Sequence, residues 1–312
     1  MKDGRGHVSR ALALADALCQ AGADVELELI RGQLTALERS RISGWPVRLL
    51  DSGASERNDH ALVILDLPDS AEALNRFEPD RLVVFDDRAV FGGRAAIVIQ
   101  PSLPSWEGPG TARRVLAGYG YVPLADEFGQ LRARLADRAP ARTGTLPRVL
   151  VCFGGSDPDD ALGRIGPGLV ADPRWTAEVV VGAGYRGAAD AWWIPPIRDP
   201  ADLPERLAAA DLAILGAGTM KFEAACLGRP AVLLAVADDQ LAVAPVYAAT
   251  GAAAYLGDAR SIDPGPVRTA VAGLLADEPG RAAMAGVAHR LVDGEGAGRI
   301  AEAVLALAAG VR

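Results

Sequence analysis

The chain has 312 residues, 50% of them apolar and 23% charged, with a formal net charge of −8. That balance excludes a disordered chain, and the acidic surplus excludes nucleic acid or an anionic membrane surface as the main partner. The length predicts about two domains, each large enough for its own core.

Cys19, Cys152 and Cys226 fall inside apolar helix or strand patterns, with no CxxC pair or ligand cluster. They read as buried, reduced thiols of a cytoplasmic protein. No apolar run of roughly 18 residues or more marks an integral membrane segment.

In chain order, the first feature is the turn Asp3-Gly4-Arg5-Gly6-His7, followed by a helix over Val8–Ala21. A glycine turn of this kind follows a strand, and only Met1 and Lys2 stand before it. The native reading frame is therefore expected to supply roughly ten further residues as an apolar first strand. His7 stands at the helix N-terminus, where the dipole disfavours imidazolium and leaves a ring able to accept a proton or polarise an oxygen. The alternative reading of His7 is a capping residue. His60 and His289 show no such setting and read as structural or surface residues.

Strands are predicted over Val25–Ile30, Ala61–Leu65 and Arg81–Phe85, the last two ending at Asp66 and at Asp86 with Asp87. Ile97–Ile99 follows and leads to Gln100-Pro101-Ser102. Each carboxylate alone suits a turn; together at strand ends they offer a general base. A charged, proline-containing linker runs from about Asp137 to Pro147.

A second α/β unit opens with the strand Arg148–Phe153 and the turn Gly154-Gly155-Ser156-Asp157-Pro158-Asp159-Asp160. Its Asp-x-Asp mimics a metal-binding pair. The stronger reading has Asp157 capping, Pro158 at the first helical position, and Asp159 and Asp160 complementing the dipole. No metal and no cofactor are expected.

Strands follow at Glu178–Val181, Leu212–Leu215 and Ala231–Leu234, and helices at Pro266–Ala276, Arg281–Val292 and Gly298–Leu307. After Leu215 comes Gly216-Ala217-Gly218-Thr219-Met220-Lys221-Phe222-Glu223, opening a short helix that Gly228 stops. Small residues there let a ligand approach the backbone, and the N–H groups of a new helix attract an anion. Thr219 is the candidate N-cap. Lys221, one of two lysines in the chain, is disfavoured in a first turn unless an anion lies near. Asp239 and Gln240 follow the Ala231–Leu234 strand at its carboxyl end.

The alternation predicts an α/β protein of two doubly wound, Rossmann-like domains, residues 1–140 and 146–312, facing across a cleft. Gly-x-Gly-His-x-x-Arg (Gly4 to Arg10), Phe-Gly-Gly-Ser-Asp-Pro (Phe153 to Pro158), Gly-x-Gly-Thr with Glu223, and Asp239-Gln240 occur in order. Together they resemble the UDP-sugar hydrolases of pseudaminic acid synthesis and the related spore-coat polysaccharide proteins. More distantly, the chain is similar to the transferase that adds N-acetylglucosamine to lipid-linked muramyl-peptide.

The resemblance implies a GT-B fold and a nucleotide-sugar (UDP-sugar) hydrolase that cleaves the anomeric C–O bond and releases nucleoside diphosphate and free sugar. The alternative is a transferase that passes the sugar to an acceptor; a binding protein without chemistry is a third class. The resemblance implies His7 as the catalytic histidine; its expected role is that of the base, with Asp239 across the cleft as partner or rival. Gly216, Gly218, Thr219, Met220, Lys221 and Glu223 are expected to hold the nucleotide diphosphate, with Glu223 on ribose hydroxyls. Gly6, Arg10, Asp66, Gly154, Gly155, Ser156 and Gln240 are expected on the sugar side. Two positions depart from the hydrolase pattern: Pro68 stands where those proteins have tyrosine, and Asp239 where they have asparagine.

Overall fold

The computed structural model describes residues 6–30, 47–50, 62–66, 77–136, 146–155, 157, 159–187 and 195–310. Gly4, Arg5, His60, Pro68, Ser156 and Pro158 lie outside them, as does the stretch before Gly6 to which the first-strand expectation belongs. The chain forms two compact units. One is His7–Ala125 with the described residues from Gly294 onward; the other is Asp126–Asp293, with which Gly6 is grouped.

The first unit opens with helix α1 (Gly6–Gln20), whose Leu14 and Leu18 face the core. Strands β1 (Leu27–Ile30) and β2 (Val47–Leu50) form a parallel pair. A parallel four-stranded sheet follows, in the order β3 (Val63–Leu65), β4 (Leu82–Phe85), β5 (Arg94–Gln100) and β6 (Thr111–Ala117). Among the described residues no hydrogen-bonded strand joins the pair to this sheet. Asp66, Asp86 with Asp87, and Ser102 all lie just beyond the carboxyl ends of β3, β4 and β5.

The second unit contains α2 (Asp126–Ala136), β7 (Arg148–Cys152), α3 (Ala161–Val170), β8 (Thr176–Val181), β9 (Ile197–Arg198) and α4 (Leu203–Ala208). It continues with β10 (Leu212–Gly216), α5 (Met220–Cys226), β11 (Ala231–Ala235), α6 (Asp238–Ala248), β12 (Ala254–Asp258), α7 (Pro264–Ala276) and α8 (Glu278–Leu291). Its six strands pair in the order β12-β11-β10-β7-β8-β9, and every pairing is parallel. Sheets covered on both faces favour unbroken apolar strands. Leu212 to Leu215 accordingly keep no exposed surface. Strand β7 lies between β8 and β10, so the chain winds away from it in both directions. A crevice opens at the carboxyl ends of such a pair, and that is where doubly wound sheets take ligands.

Two helices sit apart from the boundaries that sequence suggests. α2 belongs with the second unit, where Arg132 Nη1 donates to the carbonyls of Cys226 (3.1 Å), His289 (2.8 Å) and Val292 (3.0 Å). Those oxygens lie at the carboxyl ends of α5 and α8, where a helix runs out of N–H groups for its last carbonyls. The last helix, α9 (Gly296–Gly310), belongs with the first unit. Its Ile300, Ala301, Ala303 and Val304 complete the core formed by Leu14, Leu18, Val83, Phe85, Ile97, Ile99 and Leu116.

α5 stops as its sequence predicts. Gly228 takes φ +62°, a left-handed conformation that glycine adopts without strain, and Arg229 N–H closes on the Ala224 carbonyl at 2.8 Å. Among the described residues no helix is long and apolar enough to cross a membrane.

Candidate functional site

The first unit brings four of the expected groups together. His7 Nδ1 lies 2.7 Å from Asp66 Oδ1. Arg10, one turn further along α1, donates to the same carboxylate through Nε and Nη2 and to Asp87 through Nη1. Its guanidinium stacks 4.7 Å from the centroid of the Phe85 ring. Ser102 Oγ donates to Asp87 at 2.8 Å, and Gln100 holds Ser102 in place through its backbone N–H at 2.9 Å. Asp86 takes no part. Its carboxylate accepts the N–H groups of Val90 and Phe91 and the Trp106 indole, and is consumed by its own loop. Gly6 opens α1 immediately before this cluster.

Electrostatics bind the group further. Burial would raise the Asp66 pKa, but the charge and hydrogen bonds of Arg10, with those of His7, outweigh it and hold it at about 2. For His7 burial alone would lower the pKa. The hydrogen bond and charge of Asp66, aided by Asp87 and opposed by Arg10, lift it above the ordinary 6.5. This reverses the direction expected from the helix terminus. A helix end carries about half a charge, whereas a full carboxylate stands in hydrogen-bond contact with the ring. The consequence favours chemistry, since the deprotonated ring is the stronger base for it.

In the second unit the turns after β7 and β10 meet at the centre of the sheet. Gly154 takes φ +93°, open to glycine and strained for other residues. A methyl group on Gly182, after β8, would stand 2.4 Å from Gly155, so these turns touch backbone to backbone. Helix α3 starts at Ala161, later than the sequence suggests. Its N-cap is Asp160 rather than the expected Asp157, whose carboxylate instead accepts the N–H groups of Ala161 (3.0 Å) and Leu162 (2.8 Å) from further back in the turn. Asp160 accepts Gly163 N–H at 3.0 Å and the Tyr185 hydroxyl at 2.5 Å. Both carboxylates are thus engaged in shaping the turn.

Several expected ligand groups take structural positions instead. Lys221 is 3% exposed, and its Nζ turns back onto the carbonyls of Ala217 (2.8 Å) and Gly218 (3.0 Å). The ammonium also lies 4.0 Å from the Phe222 ring centroid, a cation–π distance. It shapes the turn from inside. Met220 is buried and Gly216 ends β10 within the core, so each offers a ligand only backbone. Thr219 already has helical backbone angles and makes no capping bond. Gln240 is buried too; its Oε1 accepts Val236 N–H at 3.0 Å and ties the turn after β11 to the start of α6. Glu223 remains half-buried in the first turn of α5.

Asp239 lies exposed in the first turn of α6. It belongs to the other unit from His7, and the carboxylate bonded to His7 is Asp66. Sequence reasoning had placed Asp66 among the sugar contacts rather than on the base. It had not singled out Ser102 or Gly182, although Pro101-Ser102 and Val181-Gly182 both mark strand ends.

No known family profile matches the chain. The UDP-N-acetylglucosamine–N-acetylmuramyl-(pentapeptide) pyrophosphoryl-undecaprenol N-acetylglucosamine transferase of Mycobacterium tuberculosis is 34% identical over 207 residues, covering 61% of this chain and 50% of that protein. The Mycobacterium bovis enzyme matches equally. The chain therefore spans about half the length of the curated relatives it matches.

Among solved structures, Acinetobacter baumannii MurG superposes with a TM-score of 0.64 at 18% identity, covering 96% of each chain. The calicheamicin glycosyltransferase CalG4 gives 0.64 at 16% identity over 99% of this chain and 97% of that one. S. aureus MnaA, solved with UDP, gives 0.63 at 12% identity over 97% of this chain and 95% of that one. The fold is GT-B, with two Rossmann-like units.

These relatives overturn the expectation of a nucleotide-sugar hydrolase, because the curated proteins that match in sequence are transferases. The reason is chemical. Glycine turns at strand ends serve a nucleotide sugar in either class, whereas the difference lies in what attacks the anomeric carbon.

Proposed function

We propose that the chain is a glycosyltransferase that moves a sugar from a UDP-sugar, of the N-acetylglucosamine type, to an acceptor hydroxyl. The observation that carries this reading is the 34% identity to N-acetylglucosamine transferases over 207 residues. The His7–Asp66 pair supplies chemistry to match. Asp66 accepts the Nδ1 proton, and Nε2 takes the proton of the acceptor hydroxyl as its oxygen attacks the anomeric carbon. The bond from that carbon to the diphosphate oxygen breaks, and UDP leaves with the electron pair. The turns after β7 and β10 are the proposed diphosphate seat, with backbone N–H groups as donors.

The test is UDP release from UDP-N-acetylglucosamine and related donors, with and without hydroxyl acceptors. Release that depends on acceptor, with sugar recovered in the product, supports the reading. Equal release in the absence of any acceptor would overturn it.

Two further outcomes are expected. Because Asp66 raises the His7 pKa above 6.5, the acid limb of the rate–pH profile should lie above pH 6.5 and fall back in Asp66→Asn. A limb that stays put in Asp66→Asn would dissociate the pair from the rate. Glu223→Ala should weaken UDP binding by about 1.5–3 kcal/mol, the scale of a hydrogen bond to a charged group. Calorimetry on the folded variant measures this directly, and an unaltered affinity would remove Glu223 from the nucleotide site.

A further inference from the structure

Arg10 is 6% exposed, and all three of its nitrogens are committed: Nε and Nη2 to Asp66, Nη1 to Asp87. Its anchorage reaches three strand ends, since Asp87 is held in turn by Ser102 Oγ at 2.8 Å and the guanidinium rests on Phe85. The carboxylate it grips is the one on which His7 depends.

His7 Nδ1 has two neighbours with opposite demands. Asp66 Oδ1, at 2.7 Å, requires a proton on Nδ1; Arg10 Nη2, at 2.9 Å, requires a lone pair there. A neutral imidazole can satisfy only one of them. Arg10 Nη2 already donates to Asp66, so it loses little if Nδ1 refuses it. An ionised carboxylate gains from every added donor. The proton therefore belongs on Nδ1 and the lone pair on Nε2.

We propose that Arg10 is the positioning residue that sets His7 in its Nδ1–H tautomer, by clamping Asp66 against the imidazole with a fork anchored on Asp87. The proposal rests on the transferase reading only for the use made of Nε2. The tautomer itself is a property of the ligand-free chain. Among the described residues the charged groups facing His7 are Asp66, Arg10 and Asp87, of which the two carboxylates favour imidazolium and Arg10 opposes it. Arg10→Lys keeps the charge and removes the fork, so it separates geometry from electrostatics. An unconstrained imidazole favours the opposite tautomer, Nε2–H.

Nitrogen-15 NMR of the imidazole rings is the test. The chain has three histidines, and the His7 signals are assigned by their loss in His7→Ala. Neutral His7 should show a protonated Nδ1 and a bare Nε2. In Arg10→Lys the population should move toward Nε2–H, and turnover should fall by about 10²-fold with the donor KM near the wild-type value. Asp87→Asn, which loosens one arm of the fork, should shift the tautomer the same way by less, and carries the test if Arg10→Lys does not fold. A wild-type ring protonated on Nε2 would overturn the proposal, as would an unchanged tautomer in whichever of the two variants is folded. Absence of transfer to any acceptor, with the tautomer as expected, would fault the transferase reading and leave this assignment standing.

Discussion

His7→Ala is expected to lower the rate of sugar transfer by roughly 10²–10⁴-fold, the span of general acid–base catalysis, while UDP affinity stays near normal. The split follows from where the residues stand. His7 belongs to the first unit, in contact with Asp66, whereas the proposed nucleotide contacts belong to the sheet of the second. Losing the imidazole leaves Asp66 and Arg10 paired, so the unit is expected to keep that buried ion pair and its fold. Asp66 is not expected to take over as base, because Arg10, whose charge and hydrogen bonds do most to lower its pKa, remains beside it. Steady-state rates and calorimetry on the same preparation provide the check. Wild-type turnover in His7→Ala would eliminate the imidazole from the reaction.

Arg132→Ala should destabilise the second unit by about 1.5–3 kcal/mol, since a charged donor is removed from part-buried carbonyls at two helix ends. One nitrogen shares its two N–H groups among the carbonyls of Cys226, His289 and Val292, so its loss affects α5, α8 and the attachment of α2 together. Urea unfolding would register the change as a lower midpoint, and an unshifted midpoint would show these contacts to be dispensable.

Acid acts on the same junction. Burial first, and then the Arg132 charge, push the His289 pKa below 6.5. His289 Nδ1 takes a hydrogen bond from Arg132 at 2.9 Å and must stay unprotonated to do so. The unfolded chain binds this proton more readily, so the contribution is complete above pH 6.5 and is lost as pH falls through the folded-state pKa. In Arg132→Ala that part of the acid sensitivity should shrink.

Strands that end abruptly were legible in the sequence. Ala61–Leu65 and Arg81–Phe85 are short apolar runs stopped by aspartate, and the structure has β3 and β4 there. β6 was not legible, because Arg113, Arg114 and a half-exposed edge break every apolar pattern in Thr111–Ala117. The turns of the site could be located because glycine and proline act through local backbone geometry. Partners could not. Arg10 and Asp87 stand 77 positions apart, and nothing in the spacing tells which strand-end carboxylate will meet which cation. Lys221 misled for a related reason: a lone lysine beside a glycine turn looks like an anion ligand until its own carbonyls are found to hold it. The amphipathic pattern of α9 likewise announces a buried face without saying whose core it fills.

That last point bears on how the protein is born. Ile300 and Val304 of α9 close the core of the first unit, yet they are translated after the whole of the second. At about 5–20 residues per second, the ribosome spends on the order of 10–40 s between β6 and α9. During that interval the second unit can fold to completion while the nascent first unit keeps an apolar face uncovered. The order of maturation is then the reverse of the order of synthesis, and the unit carrying His7 becomes competent last.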